Sequence, residues 1–508
     1  MKKRKVGFLF NIITICLAVV AIAVGVYSLQ KSSLNISGSL GFTAHAVNAR
    51  IDAYMYGYAT TANGIPLTES EKVRLTSANG LLIQDTLTNY NLNLGATNGS
   101  GSATRYFSNL GASGKMEDIV VEITVSNTSG GTSTPKNILA NVDFANCIPS
   151  SALTGKIRID CDRSAAVLET TNSKNQATFT FKISLLPNSN GSYSDSALTT
   201  PSNNVDLKMN LEETTYTQSQ VRTDAIAIKK FTDTEVSSIK SGLSITTNES
   251  YADLYPYYVE MGHVGNDYVK WLVVGTKGAS DTDAVTALVD ADKTALSQGL
   301  LLNKTYVMLS EKVLYSESTT YYGIPFQNEY TNSGEYLNKS GYYSAQDYAT
   351  SNIRAYLNGE TVKRSSKYNA GKYIADGASV NLLEKYNLES DSLYAKIQGR
   401  TLTSLYTNIG TPKGKIWTSS DSRTEENLKP NSQDKLWLLS ETEMGAIFIS
   451  DNNRKTTVVG SSYAAKWWLR SLNANYSDSV SIVYNGKRYD NTVYGSGSNI
   501  SVRAAFQI

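Results

Sequence analysis

Histidine is almost absent from this chain: His45 and His263 are the only two among 508 residues. No His-Glu-x-x-His zinc helix can therefore be built, and two histidines in different expected domains argue against a shared His-rich metal site. No Gly-x-x-x-x-Gly-Lys-[Ser/Thr] phosphate loop occurs. No Gly-x-Ser-x-Gly elbow occurs either, so a serine–histidine triad would have to recruit His263 beside an expected strand. Cysteine is as scarce, with Cys16, Cys147 and Cys161 the whole complement. One-sided charge is missing too. Lys and Arg number 47 against 45 Asp and Glu, a net +2. Lys2, Lys3, Arg4 and Lys5 alone supply +4, which leaves −2 on everything beyond residue 30. Such a near balance argues against a nucleic-acid partner. Asp281, Asp283, Asp290 and Asp292 form an acidic stretch, but their spacing matches no EF-hand and reads as a solvated turn. No cofactor and no metal are expected.

What is present begins at the N-terminus. The four basic residues precede an apolar run over residues 6–29. As a helix this run is about 36 Å long, enough for a hydrocarbon core of about 30 Å. The basic flank should stay cytoplasmic, which puts the remainder outside. Two readings stand: an uncleaved signal anchor, or a signal peptide cut after the small-residue pattern Ala21-Ile22-Ala23. The expected location is the outer face of the cell membrane, or the medium if the segment is removed. An oxidising exterior permits a disulfide between Cys147 and Cys161, which would stabilise by about 3 kcal/mol in the chain-entropy model.

Composition divides the chain. All five Trp residues lie beyond residue 250. The earlier part alternates with period 2. Val47, Ala49, Ile51, Ala53 and Met55 do so, as do Ile119, Val121, Ile123 and Val125. Ala177, Phe179, Phe181, Ile183 and Leu185 repeat it, then Val205, Leu207, Met209 and Leu211. Strands with one dry face read this way and predict a β-sandwich at 34–215. A connector at 216–250 contains a short helix with Thr232 as N-cap and Gly242 at C′. The region 251–508 mixes strands (268–274, 305–309, 436–439, 480–484, 500–506) with a helix at 348–357. A capping box, Ser440-Glu-Thr-Glu443, starts another helix.

Residues 33–44 (SLNISGSLGFTA) and 121–128 (VEITVSNT) resemble strands of the biofilm-fibre and camelysin-like sandwiches exported by Gram-positive bacteria. The ordered series 268–275, Leu309-Ser310-Glu311, 351–358, 436–443, Trp467-Trp468-Leu469-Arg470-Ser471 and Val502-Arg503-Ala504-Ala505-Phe506 resembles an uncharacterised domain of exported Firmicutes proteins. More distantly it is similar to the C-type-lectin fold of formylglycine-generating-enzyme relatives. Leu472 and Ala504 stand where that pattern carries proline. The resemblance implies a fold class in three parts: an N-terminal transmembrane helix, an all-β sandwich, then an α+β C-type-lectin-like domain at 251–508. Those enzymes work through cysteines, and no cysteine follows Cys161 here.

Trp467 and Trp468 cannot face one side of a strand, so one should enter the core while the other packs beneath a loop. Arg470 and Arg503 are expected on flanking strands in paired or stacked structural roles. Between them, residues 472–501 are crowded with Asn, Ser, Tyr, Asp and Gly. Tyrosine offers broad contact at low entropic cost, and Asn and Ser offer adaptable hydrogen bonds. The expected recognition face comprises Asn473, Asn475, Tyr476, Asp478, Tyr484, Asn485, Tyr489, Asp490, Asn491 and Tyr494. In the resemblance this is the ligand-binding region, which in some such domains is diversified by retroelements. The resulting expectation is a non-catalytic surface protein. Its C-terminal domain binds an extracellular glycan, peptide or host or bacterial surface protein, and the sandwich offers a surface for self-association. A structural fibre or pilus-like subunit is one alternative. A carbohydrate-active enzyme using Glu441 and Glu443 is the other, although these two more naturally satisfy backbone donors at a helix start.

Overall fold

A computed structural model describes residues 34–58, 73–94, 96–97, 101–102, 105–107, 118–132, 134–149, 151–171, 173–187, 204–246, 248–278, 285–314, 352–359, 381–400, 434–459, 465–472, 479–492 and 500–508. The apolar run expected to form a membrane helix lies outside them. Among the described residues no helix is long and apolar enough to cross a membrane. The chain is mostly β and forms two compact units. One reaches to Ala227 and includes Gln298–Leu300; the other holds Ile228–Ser297 and Leu301–Ile508.

The first unit is organised by one long strand, β1 (Leu34–Tyr58). Around it run β2 (Leu81–Asn93), β3 (Asp118–Asn127), β4 (Asn137–Val142), β5 (Ile157–Cys161), β6 (Ala165–Leu168), β7 (Gln176–Leu185) and β8 (Asn204–Thr214). Their order is β5-β7-β3-β1-β8-β4-β6, with β2 also on β1. The first half of β1 pairs in parallel with β8, from Ser37–Asn204 to His45–Glu212. Its second half pairs antiparallel with β3, from Ala49–Asn127 to Tyr58–Asp118. Between the halves Ala46 has φ 54°, and the pairing with β2 slips from Ala44 to Val47. An extra residue of this kind bends a strand and re-aims it. The sheet thus folds at Ala46 into two leaves. The alternating residues all point into the shared core: Phe42, Leu207 and Leu211 from one leaf meet Ile51, Ile123, Phe179 and Phe181 from the other.

The expected disulfide is not formed; Cys147 and Cys161 are free thiols. Each sulfur has its own local partner. Cys147 Sγ accepts the Lys208 N–H at 3.3 Å and donates to the Lys208 carbonyl at 3.8 Å. The Cys161 thiol donates to Asp162 at 3.6 Å from the buried end of β5. Burial pushes both thiols up, Cys147 to about 11.

Among the described residues the second unit has two sheets. The larger contains β9 (Lys229–Lys230), β10 (Tyr257–Val264), β11 (Asp267–Lys277), β12 (Thr305–Ser310), β13 (Trp437–Leu438) and β18 (Ala504–Gln507), in the order β9-β10-β11-β12-β18-β13. The smaller runs β16-β15-β14-β17, from β14 (Lys466–Leu472), β15 (Ser479–Tyr484), β16 (Lys487–Thr492) and β17 (Ile500–Ser501). The helices are α1 (Asp233–Gly242), α2 (Tyr251–Leu254), α3 (Asp290–Ser297), α4 (Asn352–Leu357), α5 (Leu382–Lys385), α6 (Glu441–Ile447) and α7 (Asp451–Arg454). Because β9 pairs with β10, residues from 228 onward belong to this unit and are not a free connector.

Several local expectations change here. Thr232 caps α1 with Glu235 as its capping-box partner, but the helix runs through Gly242 and Leu243 is the C-cap. The positive φ that ends it, 53°, falls on Ser244. Asp292 is not in a solvated turn. It is fully buried in the first turn of α3, accepting from Lys304 Nζ and the Tyr306 hydroxyl, each at 2.9 Å. Arg503 does not sit on a strand but in the break between β17 and β18.

Candidate functional site

The region expected to carry recognition is built around a β-hairpin. β15 and β16 pair from Ser479–Thr492 to Tyr484–Lys487 across a two-residue turn, Asn485-Gly486. Those two residues have φ 50° and 83°. Positive φ at both central positions defines a type I′ turn, whose twist matches paired strands, and Asn-Gly is its preferred sequence. This dipeptide is the signal that locates β16, which hydrophobic alternation alone does not reveal.

Cross-strand register then sorts the side chains. Lys466, Tyr484 and Lys487 are direct neighbours on β14, β15 and β16. Trp468, Ile482 and Tyr489 form the next row on the same face. Trp467, Val483 and Arg488 take the opposite face. Both tryptophans are fully buried, as are Val480 and Val483. The two tyrosines are not: Tyr484 is 42 % exposed and Tyr489 47 %. Their ring centroids lie 6.2 Å apart with a 53° tilt. Lys466 Nζ stands 4.8 Å from the Tyr484 centroid, a cation–π distance. On the other face Arg488 pairs with Glu441 at 2.9 Å and donates to the Ser481 hydroxyl.

The hairpin is anchored at both ends. At its tip, Gly486 is buried against the backbone of Asp451, the first residue of α7. At its base, β14 continues into Arg470, which reaches a buried ionic cluster. Glu443, the third residue of α6, receives the Ser440 N–H at 2.8 Å in a capping box. The same carboxylate pairs with Arg400 at 2.8 Å and with Arg470. Arg470 also donates to the Leu438 carbonyl at 2.6 Å. Burial alone would raise the Glu443 pKa, but Arg470 and then Arg400 outweigh it and hold it at about 2. A second buried pair, Arg354–Asp434 at 2.7 Å, adjoins it through the Arg400–Asp434 backbone hydrogen bonds.

Arg503 has a different solution. It is fully buried, and its Nε donates to the Ser310 carbonyl at 3.0 Å. Its guanidinium carbon lies 5.0 Å from the Phe448 centroid, 5.4 Å from Trp467 and 5.5 Å from Tyr251. Tyr251 in turn donates to Glu311 at 2.7 Å. Desolvation lowers the Arg503 pKa to about 10, while Tyr251 and Glu311 pull the other way.

Of the expected recognition residues, Tyr484, Asn485 and Tyr489 come together on this hairpin. Asp490 and Asn491 lie on β16, paired through their backbones with Ser481 and Val480. Asn473, Asn475, Tyr476, Asp478 and Tyr494 fall outside the described residues. Lys466 and Lys487 carry no local signal, because their juxtaposition with Tyr484 depends on strand register. Nor do Arg400 and Asp434, which meet their partners only in the folded chain. Among the described residues no cluster of His, Cys, Asp and Glu could hold a metal ion.

A family described as a domain of unknown function (DUF6273) matches residues 300–508. No curated protein and no solved structure matches the chain.

Proposed function

We propose that this is a non-catalytic, extracellular binding protein. In this reading the first unit is a β-sandwich stalk, and the C-terminal unit, similar to C-type-lectin domains, carries the ligand. The N-terminal apolar run tethers the protein to an exporting bacterium or directs its secretion. The observation that carries the reading is the Tyr484–Tyr489 pair. Two large aromatic side chains stand exposed and adjacent on a hairpin whose tip and base are both pinned. Exposed tyrosines on a rigid frame are the chemistry of recognition, because contact is gained without ordering a mobile segment. The carbohydrate-active alternative draws less support. Glu443 is held ionised between two arginines and cannot deliver a proton near neutral pH. Glu441 is spent on Arg488.

The test is a glycan and host-surface array probed with the wild-type protein and with Tyr484→Ala/Tyr489→Ala. Binding lost in a variant of unchanged melting temperature supports the hairpin as the site. Equal binding by both proteins moves the site elsewhere.

A further inference from the structure

The two lysines beside the tyrosines narrow the ligand. Lys466 and Lys487 flank Tyr484 in one cross-strand row. Neither has a carboxylate partner among the described residues; Lys466 Nζ stands over the Tyr484 ring. Several cations elsewhere in the unit are paired: Arg488 with Glu441, Arg470 and Arg400 with Glu443, Arg354 with Asp434, Lys229 with Glu260, Lys270 with Glu235. Two lysines thus share the face that also exposes Tyr484 and Tyr489.

We infer that this face binds a carboxylate-bearing oligosaccharide, with Tyr484 and Tyr489 stacking on the sugar faces and Lys466 and Lys487 meeting the acid groups. The inference rests on the recognition reading above and adds the ligand class. Tyrosine faces suit the C–H surface of a sugar ring, and their hydroxyls can hydrogen-bond its hydroxyls. Lysine is a mobile point charge, which matches single carboxylates on a flexible chain better than the planar, bidentate geometry that selects arginine. The strands carrying the two lysines are two spacings apart, roughly 10 Å, so one ligand chain crossing the row can meet both charges. Nucleic acid fits poorly. Its affinity grows with the number of phosphates neutralised, and two lysines on a chain of net charge +2 supply few such contacts.

The experiment is calorimetric titration of the full chain with oligogalacturonate, a hyaluronan oligosaccharide and sialyllactose. Each is paired with its methyl ester, which keeps the ring and removes the charge. Lys466→Gln/Lys487→Gln and Tyr484→Ala/Tyr489→Ala are compared with wild type. At least one acid form is expected to bind about tenfold or more tightly than its ester, a difference of roughly 1.4 kcal/mol. Added salt and the lysine double variant should each remove that preference with no change in melting temperature. Equal affinity for acid and ester, or a preference that survives the lysine double variant, overturns the inference. If binding is then still lost in the tyrosine variant, the recognition face itself stands. If no acid form binds, the acidic ligand is rejected, and the array, which also holds neutral glycans and proteins, reports on the face independently.

Discussion

A Cβ placed on Gly486 would collide with the carbonyl oxygen of Asp451. The Asn485-Gly486 hairpin is therefore seated on the backbone of α7, and glycine is required there twice over, by contact and by φ 83°. Gly486→Ala should cost about 1–3 kcal/mol, the range for an L-residue forced into strained backbone, with the clash added to it. Asn485→Gly keeps the type I′ turn and should change stability by less than ~0.5 kcal/mol. Thermal melts of the two variants check this, and similar melting temperatures would mean that the tip is not pinned.

The division of labour within the small sheet gives a second expectation. Trp467 and Trp468 are fully buried, whereas Tyr484 and Tyr489 are exposed on the same framework. Trp467→Ala or Trp468→Ala should each destabilise by roughly 3–5 kcal/mol. Tyr484→Ala with Tyr489→Ala should stay within ~0.5 kcal/mol per site, since neither side chain leaves a cavity. Denaturant titration measures both. A tyrosine pair as costly as a tryptophan would make these rings part of the core.

How much of this was legible in the sequence follows from the range of each interaction. The leaves of the first unit announce themselves because a strand buries every second residue, so Val47, Ile51, Phe179 and Phe181 were readable one strand at a time. The corner at Ala46 was not, since alanine with positive φ has no compositional sign. Ser440 and Glu443 were legible as a capping box because they are three residues apart. Glu443 as the hub for Arg400 and Arg470 was not, because those partners arrive from distant segments. The candidate site falls between these cases. Its tyrosines and the Asn485-Gly486 turn are local signals, whereas the Lys466–Tyr484–Lys487 row exists only once three strands are in register.

The two cysteines separate a local chemical argument from a topological one. An oxidising exterior would permit a bridge, whereas both thiols are free here, each with its own hydrogen-bond partner. Peptide mapping after denaturing alkylation should return the Cys147 and Cys161 peptides unlinked and singly modified. In the native state both should react slowly, because the thiolate is the nucleophile and burial raises Cys147 to about 11 and Cys161 as well. A linked peptide pair would contradict the free-thiol state.

The Glu443 cluster gives the unit a built-in acid sensitivity, and its sign follows from the direction of the shift. The folded-state pKa of about 2 lies below the ordinary 4.5. The unfolded chain therefore takes up this proton at higher pH than the folded one. The stabilisation is complete above about 4.5 and is lost as pH falls towards about 2. Protonation there leaves Arg400 and Arg470 buried beside a neutral acid, which is why the loss should be steep. Removing one partner of a buried ion pair typically costs roughly 3–5 kcal/mol, so Glu443→Gln should be strongly destabilised at neutral pH. Its melting temperature should also fall less than that of wild type through the acid window, because the titrating group is gone. Melts of both proteins across that window provide the measurement. Parallel pH dependences would assign the acid sensitivity to other carboxylates and leave Glu443 with only its capping role.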